Sequence, residues 1–329
     1  MSALAPTLEA FFTERLMRQR QASRHTIAAY RDTFRLLLTF AQARTDTAPS
    51  RLEFDDLDAP LIGAFLDHLE HARGNSPQTR NARLAAIHSL FRFATLRHPE
   101  HAALIARVLA IPPKRFDRAD VSFLDRRETE ALLAAPDRSH WMGRRDHALL
   151  TIAVQTGLRV SELSGLCCGD IQLGTGANAR CYGKGRRQRC TPLTPTTAKV
   201  LRAWTHERSG QPGDPLFPTG KGGALSRDAI ALLVAKHAAT AAKNCPSLPA
   251  KAVSPHTLRH TCAMNLLHEG VDVATIALLL GHANLRSVES YIHADNTLKE
   301  RALARTRPPG TRPGRYRPPD RMIQFLESL

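Results

Sequence analysis

The residues best suited to chemistry lie in the last third of the chain, beginning at Ser254. A serine followed by a proline and then by helix formers predicts a helix start, with Ser254 as N-cap and Pro255 in the first turn. His256 and Arg259 then lie three residues apart on one face of that turn. The turn also presents backbone N–H groups and the positive end of the helix dipole. An imidazole, a guanidinium and a helix N-terminus therefore converge on a spot that suits a phosphate.

A second group follows closely. Gly281 is predicted to end the apolar helix from Val273 to Leu280, so His282 comes directly after a helix C-cap. Tyr291 lies nine residues further on, in a segment that Ser287 is able to cap. Each residue alone has an ordinary interpretation: a surface charge near a cap, a C-cap or a core aromatic. Their order and spacing together point to an active site.

Two further motifs lie upstream. A predicted helix from Arg144 to Thr156 stops at Gly157, and Arg159 and Glu162 follow three residues apart. They either form part of a site or make a surface ion pair that contributes little to stability. Lys184 lies between two glycines in a weakly alternating segment, 179–192, that predicts a hairpin with a basic tip.

These motifs together resemble the tyrosine recombinases, or phage integrases. The signature consists of His256-x-x-Arg259, Leu280-Gly281-His282 and Tyr291, with Thr156-Gly-Leu-Arg159 and Gly183-Lys184-Gly185 upstream. The resemblance extends from about Thr7 to Tyr291. It implies a helical core-binding domain and a catalytic domain that close around duplex DNA.

The resemblance also implies a role for each residue. Tyr291 would be the nucleophile that forms a 3′-phosphotyrosine, and Lys184 would protonate the leaving 5′-hydroxyl. Arg159 and Arg259 would hold the scissile phosphate, with Glu162 in support. His256 would take the tyrosine proton and His282 would hydrogen-bond the phosphate. The covalent intermediate conserves the bond energy, so neither ATP nor a metal or other cofactor is expected.

The net charge of the chain agrees with DNA as its partner. Its 46 lysines and arginines exceed its 30 acidic residues, for a net charge of +16 and a pI near 10.4. This excess favours a polyanion such as double-stranded DNA, or an anionic membrane surface. The membrane is disfavoured because no apolar run approaches ~18 residues and the N-terminus carries Glu9 and Glu14. We expect a cytoplasmic, nucleoid-associated protein.

The six cysteines predict no metal site. Cys167 and Cys168 are adjacent, and no Cys-x-x-Cys pair occurs. Cys181 and Cys190 flank the predicted hairpin and are expected to face each other across it. In a reduced cytosol we expect them to be small apolar strand residues rather than a disulfide.

The predicted fold class is mainly α with a small β-hairpin or sheet, an α+β protein. Residues 1–111 are expected to form the helical core-binding domain and residues 121–300 the catalytic domain. The first of these is predicted to be a compact bundle. Its helices are predicted over Thr7 to Arg20, Ser23 to Ala43, Pro60 to Ala72 and from Ser76 onward.

The remaining segments are basic and rich in proline. Residues 112–120 are expected to be a linker whose Lys114 and Arg115 track the DNA backbone. Arg186, Arg187 and Arg189 on the hairpin are expected to make similar contacts. Residues 301–329 are predicted to be an extended tail that ends in a short apolar helix. That helix is expected to dock either on a neighbouring subunit or back on its own chain.

The leading hypothesis is a site-specific recombinase that acts as a tetramer on two DNA sites, as a homo-oligomer or with a related recombinase. Integration or transposition of a mobile element is favoured over resolution of chromosome dimers. A second hypothesis is a catalytically silent DNA-binding partner in a recombinase complex. A third is topoisomerase-like relaxation by the same tyrosine chemistry.

Overall fold

The computed structural model describes residues 4–116, 121–182 and 188–281. The chain divides into two compact units, Met1–Ala119 and Asp120–Leu329, each with its own hydrophobic core. Both units are mainly helical, and the second contains a small antiparallel sheet. The predicted fold class is therefore confirmed.

The first unit is a bundle of helices, two of which start at the predicted residues Ser23 and Ser76. Ser23, Asp58 and Ser76 each accept a backbone N–H three residues further on. The predicted first helix starts earlier, at Leu4, and its second half has π-helical hydrogen bonding. The helices are α1 (Leu4–Ala10, continued by the π-helical Phe11–Gln19), α2 (Arg24–Thr45), α3 (Ala59–His71), α4 (Pro77–Ala94) and α5 (Ala102–Leu109).

The second unit is built around a long buried helix, α7. This helix packs against α6, α9 and α11, and its last turn leads into the residues of the candidate site. Asp125 and Glu128 form a capping box at the start of α6. The helices are α6 (Arg126–Ala134), α7 (Trp141–Thr156), α8 (Val160–Ser164), α9 (Pro195–Arg208), α10 (Arg227–Ala241), α11 (Pro255–His268) and α12 (Val273–Leu280).

The sheet contains the predicted hairpin and one additional short strand. Its strands are β1 (Ile171–Gln172), β2 (Asn178–Tyr182) and β3 (Gln188–Pro192), antiparallel in the order β1-β2-β3. The register pairs Cys181 with Arg189 and Arg180 with Cys190. Cys181 is buried and Cys190 is exposed, because residues on opposite sides of the pleat alternate. The prediction that the two cysteines face each other was therefore wrong, and all six cysteines are free thiols.

Two buried polar clusters fix the helices that lead to the site. In the first, Asp146 on α7 accepts hydrogen bonds from Arg145 at 2.7 Å and pairs with His237 on α10 at 2.8 Å. Burial opposes ionisation of Asp146, but these two partners outweigh it and lower the pKa of the carboxyl. The cluster therefore cross-links α7 to α10. No pattern in the sequence predicts it.

The second cluster fixes the approach to α11. Glu128 accepts hydrogen bonds from Lys251 at 2.6 Å and from Ser247 at 2.7 Å. The backbone N–H of Leu124 donates to the hydroxyl of Thr261 on α11 at 2.9 Å. These contacts hold both the start and the middle of α11 against the segment that enters the unit, so the side chains of α11 have a rigid support.

Candidate active site

Arg159 and Glu162 lie at the turn between α7 and α8. Gly157 ends α7 with a φ of +58°, and a Cβ there would meet Leu280 Cδ2 at 2.5 Å, so this turn strongly favours glycine. Arg159 is the N-cap of α8. Glu162 Oε2 accepts the Arg159 backbone N–H at 2.8 Å, and Glu162 Oε1 accepts the Arg159 guanidinium at 3.0 Å. The Glu162 side chain is only 2% exposed, so this ion pair is largely buried and is not a surface ion pair.

Arg259 reaches the same place from α11. Ser254 caps this helix through the Thr257 backbone N–H, as predicted. Arg259 is buried, with 2% of its surface exposed. Its Nη1 donates to the Gly157 carbonyl at 2.6 Å and its Nη2 to the Leu280 carbonyl at 2.7 Å. The guanidinium is therefore anchored between the end of α7 and the end of α12.

A third arginine, Arg189 on β3, completes the cluster. Its Nη2 donates to Glu162 Oε2 at 2.8 Å, its Nη1 to the Leu279 carbonyl at 2.5 Å and its Nε to Cys181 Sγ at 3.1 Å. Only 14% of the side chain is exposed. The strand turns this residue inward, where Nε, Nη1 and Nη2 each donate within the protein, and its contact with the DNA backbone stays a prediction.

The three arginines converge on the C-terminal end of α12. Three consecutive backbone carbonyls, 279–281, accept one hydrogen bond each from Arg189, Arg259 and Arg159, in that order along the chain. Carbonyl groups at a helix C-terminus lack intrahelical partners and carry partial negative charge. The cluster satisfies them and fixes the chain immediately before His282.

The cluster carries excess positive charge. The cluster contains three guanidiniums and the single carboxylate of Glu162, which pairs with Arg159 and Arg189, so two positive charges remain among these four side chains. Arg159 is the most accessible of the residues in these ion pairs, with 30% of its side chain exposed. Guanidinium groups bind phosphate oxygens in planar, bidentate geometry. The arrangement therefore suits a phosphodiester or a phosphorane carrying more negative charge.

Two histidines on α11 adjoin the arginines. The rings of His256 and His260 lie with centroids 5.1 Å apart. Desolvation lowers the pKa of His256, and the charges of Arg259 and Arg159 lower it further. Desolvation, His256 and Arg259 lower the pKa of His260 to about 4. His256 is exposed and therefore offers a neutral imidazole that is able to accept a proton at neutral pH.

The cysteines near the cluster are poor nucleophiles. Cys262 packs beside Gly157 and donates to the Gln155 carbonyl at 3.2 Å. Burial raises its pKa to about 12. Burial also raises the pKa of Cys181, the thiol that contacts Arg189. Because the thiolate is the reactive form, neither thiol is suited to attack a phosphate at neutral pH.

Comparison with known proteins identifies the family. The model described as the phage integrase family matches residues 122–297, which is more than half of the chain. A second model, the phage integrase N-terminal SAM-like domain, matches residues 10–98. The chain belongs to the phage integrase family. Its expected resemblance to the tyrosine recombinases is thereby confirmed.

Similar proteins agree with this assignment. The chain is 54% identical to the "Putative integrase/recombinase y4rC" of Sinorhizobium fredii over 328 residues, which cover 100% of this chain and 99% of the relative. It is 39% identical to y4rD of the same organism over 78% of this chain and 92% of the relative. It is also 34% identical to the tyrosine recombinase XerC of Pelobacter propionicus over 89% of this chain and 92% of the relative.

Solved structures share the fold of this integrase-family chain. A site-specific recombinase XerH, in a post-cleavage complex with its palindromic difH substrate, matches with a TM-score of 0.68 and 23% identity over 87% of this chain and 81% of that one. The Tn1549 transposon integrase, in complex with a circular intermediate DNA, matches with a TM-score of 0.69 and 15% identity over 90% of this chain and 98% of that one.

Several predicted site residues lie outside the described residues. They are Lys184, Arg186, Arg187, His282 and Tyr291, together with the tail 301–329. The described residues place Arg159, Glu162, His256 and Arg259 together, as the motifs predicted. Arg189 is the member of the cluster whose role the sequence analysis missed.

The predicted linker contacts lie in the first unit. Lys114 Nζ pairs with Glu70 at 3.0 Å, and Asn81 bonds both the backbone N–H and the carbonyl of Lys114. Arg115 is exposed. Contact between Lys114 and a DNA phosphate therefore requires its ammonium to exchange Glu70 for the phosphate.

The described residues contain neither a candidate metal site nor a membrane-spanning helix. Within 4–116, 121–182 and 188–281, no three histidine, cysteine or acidic side chains are grouped to hold a metal ion. Over the same residues, no helix combines the length and apolar character needed to cross a bilayer.

Proposed function

We propose that this protein is a site-specific DNA recombinase that cleaves and rejoins DNA strands through a covalent 3′-phosphotyrosine at Tyr291. Double-stranded DNA is the substrate, and the activity serves integration or transposition of a mobile element. The name of the 54%-identical relative, an integrase/recombinase, supports this use.

One observation carries the proposal: three guanidiniums donate to the carbonyls 279–281, directly before His282, and the buried Glu162 carboxylate pairs with two of them. This arrangement places excess positive charge next to the segment that leads to the predicted nucleophile. Guanidiniums that are already positioned stabilise the growing charge of a phosphorane without further reorganisation. A surface that only bound DNA would not need arginines as buried as Arg259 and Arg189.

The first chemical step forms the bond between Tyr291 Oη and phosphorus. A free tyrosine has a pKa of about 10, so it needs a base or nearby positive charge to react at neutral pH. His256, whose pKa is lowered, accepts the tyrosine proton. Arg159 and Arg259 bind the non-bridging oxygens, and their attraction increases as charge develops on the phosphorane.

The second half of that step breaks the bond between phosphorus and the 5′-oxygen. An alkoxide is a poor leaving group, so Lys184 donates a proton to the departing oxygen. His282 donates a hydrogen bond to the phosphate. Attack by the 5′-hydroxyl of another strand reverses these steps, releases Tyr291 and joins the new strands.

Recombination requires two DNA sites and a nucleophile for each strand. We propose a tetramer on two sites, composed of this chain alone or of this chain and a related recombinase. Two relatives, 54% and 39% identical, come from one organism, and this supports a set of related recombinases. The protein is proposed to act in the cytoplasm on nucleoid DNA.

A joining assay tests the proposal. Two linear DNAs that carry the target site are mixed with the protein, and the junction is amplified and sequenced. We expect recombinant junctions at one position with the wild type and none with Arg159→Ala. Relaxation of supercoiled plasmid without the target site, with no junctions formed, would instead support topoisomerase-like activity.

A further inference from the structure

Arg189 connects the hairpin to the ends of two helices near the site. It lies on β3, one residue after the start of the strand and five residues after Lys184 in sequence. Its guanidinium reaches Glu162 at the start of α8 and the Leu279 carbonyl at the end of α12. One side chain therefore links the hairpin to two of the elements that form the phosphate-binding cluster.

The local packing shows that this link is built into the fold. Gly281 has a φ of +64°, and a Cβ at this position would lie 3.0 Å from Arg189 Nη1 and 3.1 Å from its Cδ. On the other side, Arg189 Nε is held by the Sγ of its cross-strand partner Cys181. The guanidinium therefore fills a slot between the sheet and the end of α12.

We propose that Arg189 is a positioning residue for strand cleavage: it holds strand β3, which begins four residues after Lys184 in sequence, against the phosphate-binding cluster. The inference rests on the proposed function, in which Lys184 protonates the leaving 5′-oxygen. Arg189 touches neither the substrate nor the reacting atoms in this account. Its loss acts on the transfer of the proton from Lys184.

The substitution Arg189→Lys separates the effect of the positive charge from the effect of the guanidinium's geometry. Arg189→Lys keeps the positive charge but offers a single ammonium, which cannot span Glu162, the Leu279 carbonyl and Cys181 at once. Since small misplacements of a catalytic group cost about 100-fold in rate, we expect single-turnover cleavage to slow by about that factor. Affinity for the DNA site is expected to stay close to that of the wild type.

The leaving group identifies the step that is affected. In the natural substrate the bond from phosphorus to the 5′-oxygen breaks and the oxygen takes a proton. If the bridging 5′-oxygen is replaced by sulfur, the bond from phosphorus to sulfur breaks and a stable thiolate leaves without a proton. We therefore expect Arg189→Lys and Lys184→Ala to be slow on the oxygen substrate and to regain nearly the wild-type rate on the sulfur substrate.

Two control variants make the result specific. Arg180 is a neighbouring hairpin arginine that donates to the Gly169 carbonyl at 2.7 Å, away from the cluster. Arg180→Lys is expected to show no selective loss on the oxygen substrate. Arg159→Lys is expected to stay slow on both substrates, because it impairs phosphate binding.

The experiment uses oligonucleotide duplexes of the target site, identified from DNA captured covalently on the wild-type protein. The ratio of the two rates within one variant does not depend on how much of that variant is folded. A slow Arg189→Lys that sulfur fails to rescue, or one with wild-type rates on both substrates, would overturn the inference and leave the recombinase function intact. A wild type that forms no covalent product would overturn both.

Discussion

Glu162 is the residue on which the charge balance of the site depends. It accepts hydrogen bonds from Arg159 and Arg189 and from the Arg159 backbone, and almost none of it is exposed. A buried carboxylate is stable only when it is paired and fully hydrogen-bonded, and here both conditions are met. The carboxylate in turn fixes the orientation of the Arg159 and Arg189 guanidiniums.

Substitution of Glu162 by glutamine tests this dependence. The change keeps the shape but removes the charge that holds Arg159, so we expect cleavage to fall by about 100-fold while DNA binding persists. Single-turnover formation of the covalent product measures it. Glu130→Gln, which removes an exposed acid paired with Arg126, should leave the rate unchanged. An equal effect of the two substitutions would contradict the proposed role of Glu162.

The protonation of His256 predicts the pH dependence of cleavage. Its pKa lies below the ordinary value of 6.5, so the neutral, proton-accepting form dominates at neutral pH. The cleavage rate should decline as pH falls and the ring becomes protonated, with a midpoint below pH 6.5. His256→Gln should be slower and should lack this acid limb. A midpoint above pH 6.5 would argue against His256 as the base.

At the scale of elements, the turn from α7 to α8 must be close to α12 for the cluster to form. Gly157 provides this approach, because its hydrogen leaves room for Leu280 and Cys262. The turn also directs the Gly157 carbonyl to Arg259. The turn at Gly157 therefore both allows α7 to approach α12 and positions Arg259.

Gly157→Ala should damage both stability and activity. The left-handed conformation alone costs about 1–2 kcal/mol for alanine. The close contact with Leu280 adds an overpacking penalty of about 1–3 kcal/mol. Gly270→Ala is the matched control, since Gly270 has a φ of +82° and open space around it. Chemical denaturation should show a clearly larger loss for Gly157→Ala. Equal losses would mean that the contact with Leu280 carries no cost.

Helix boundaries were predictable at this scale because single residues determine them. Ser23, Ser76 and Ser254 each cap a helix through a local hydrogen bond, and glycine ends α7 and α12 in the left-handed conformation. The two-residue strand β1 carries no such signal, since its two residues are too few to show alternation. Its pairing with β2 depends on tertiary structure.

The role of Arg189 was harder to predict because composition and strand geometry disagree. It follows Arg186 and Arg187 in sequence, and such a basic run suggests contact with DNA. Strand alternation gives the better signal: Arg189 shares a face with Thr191, which is buried opposite Ala179. The convergence on carbonyls 279–281 was not predictable, because two of its three hydrogen bonds, from Arg189 and Arg159, span 90 and 122 residues of sequence.

At the scale of the whole molecule, the net charge of +16 governs the encounter with DNA. Binding of lysine and arginine to phosphates releases counterions, so affinity falls steeply with salt. For 6–10 phosphate contacts, we expect the affinity to drop by about 10³–10⁵ between 50 and 200 mM salt. Fluorescence anisotropy with a labelled duplex measures this slope. An affinity that does not change with salt would contradict binding through the phosphate backbone.

Covalent capture of DNA tests directly whether Tyr291 is the nucleophile of strand cleavage. The wild type and Tyr291→Phe are expressed in cells that carry the native flanking DNA, the proteins are denatured, and any attached DNA is sequenced. The account predicts DNA with one cleavage position on the wild type and none on the variant. Enrichment of the same sequence by both proteins under native conditions, with no covalent DNA on either, would contradict it and indicate a DNA-binding partner that does not cut.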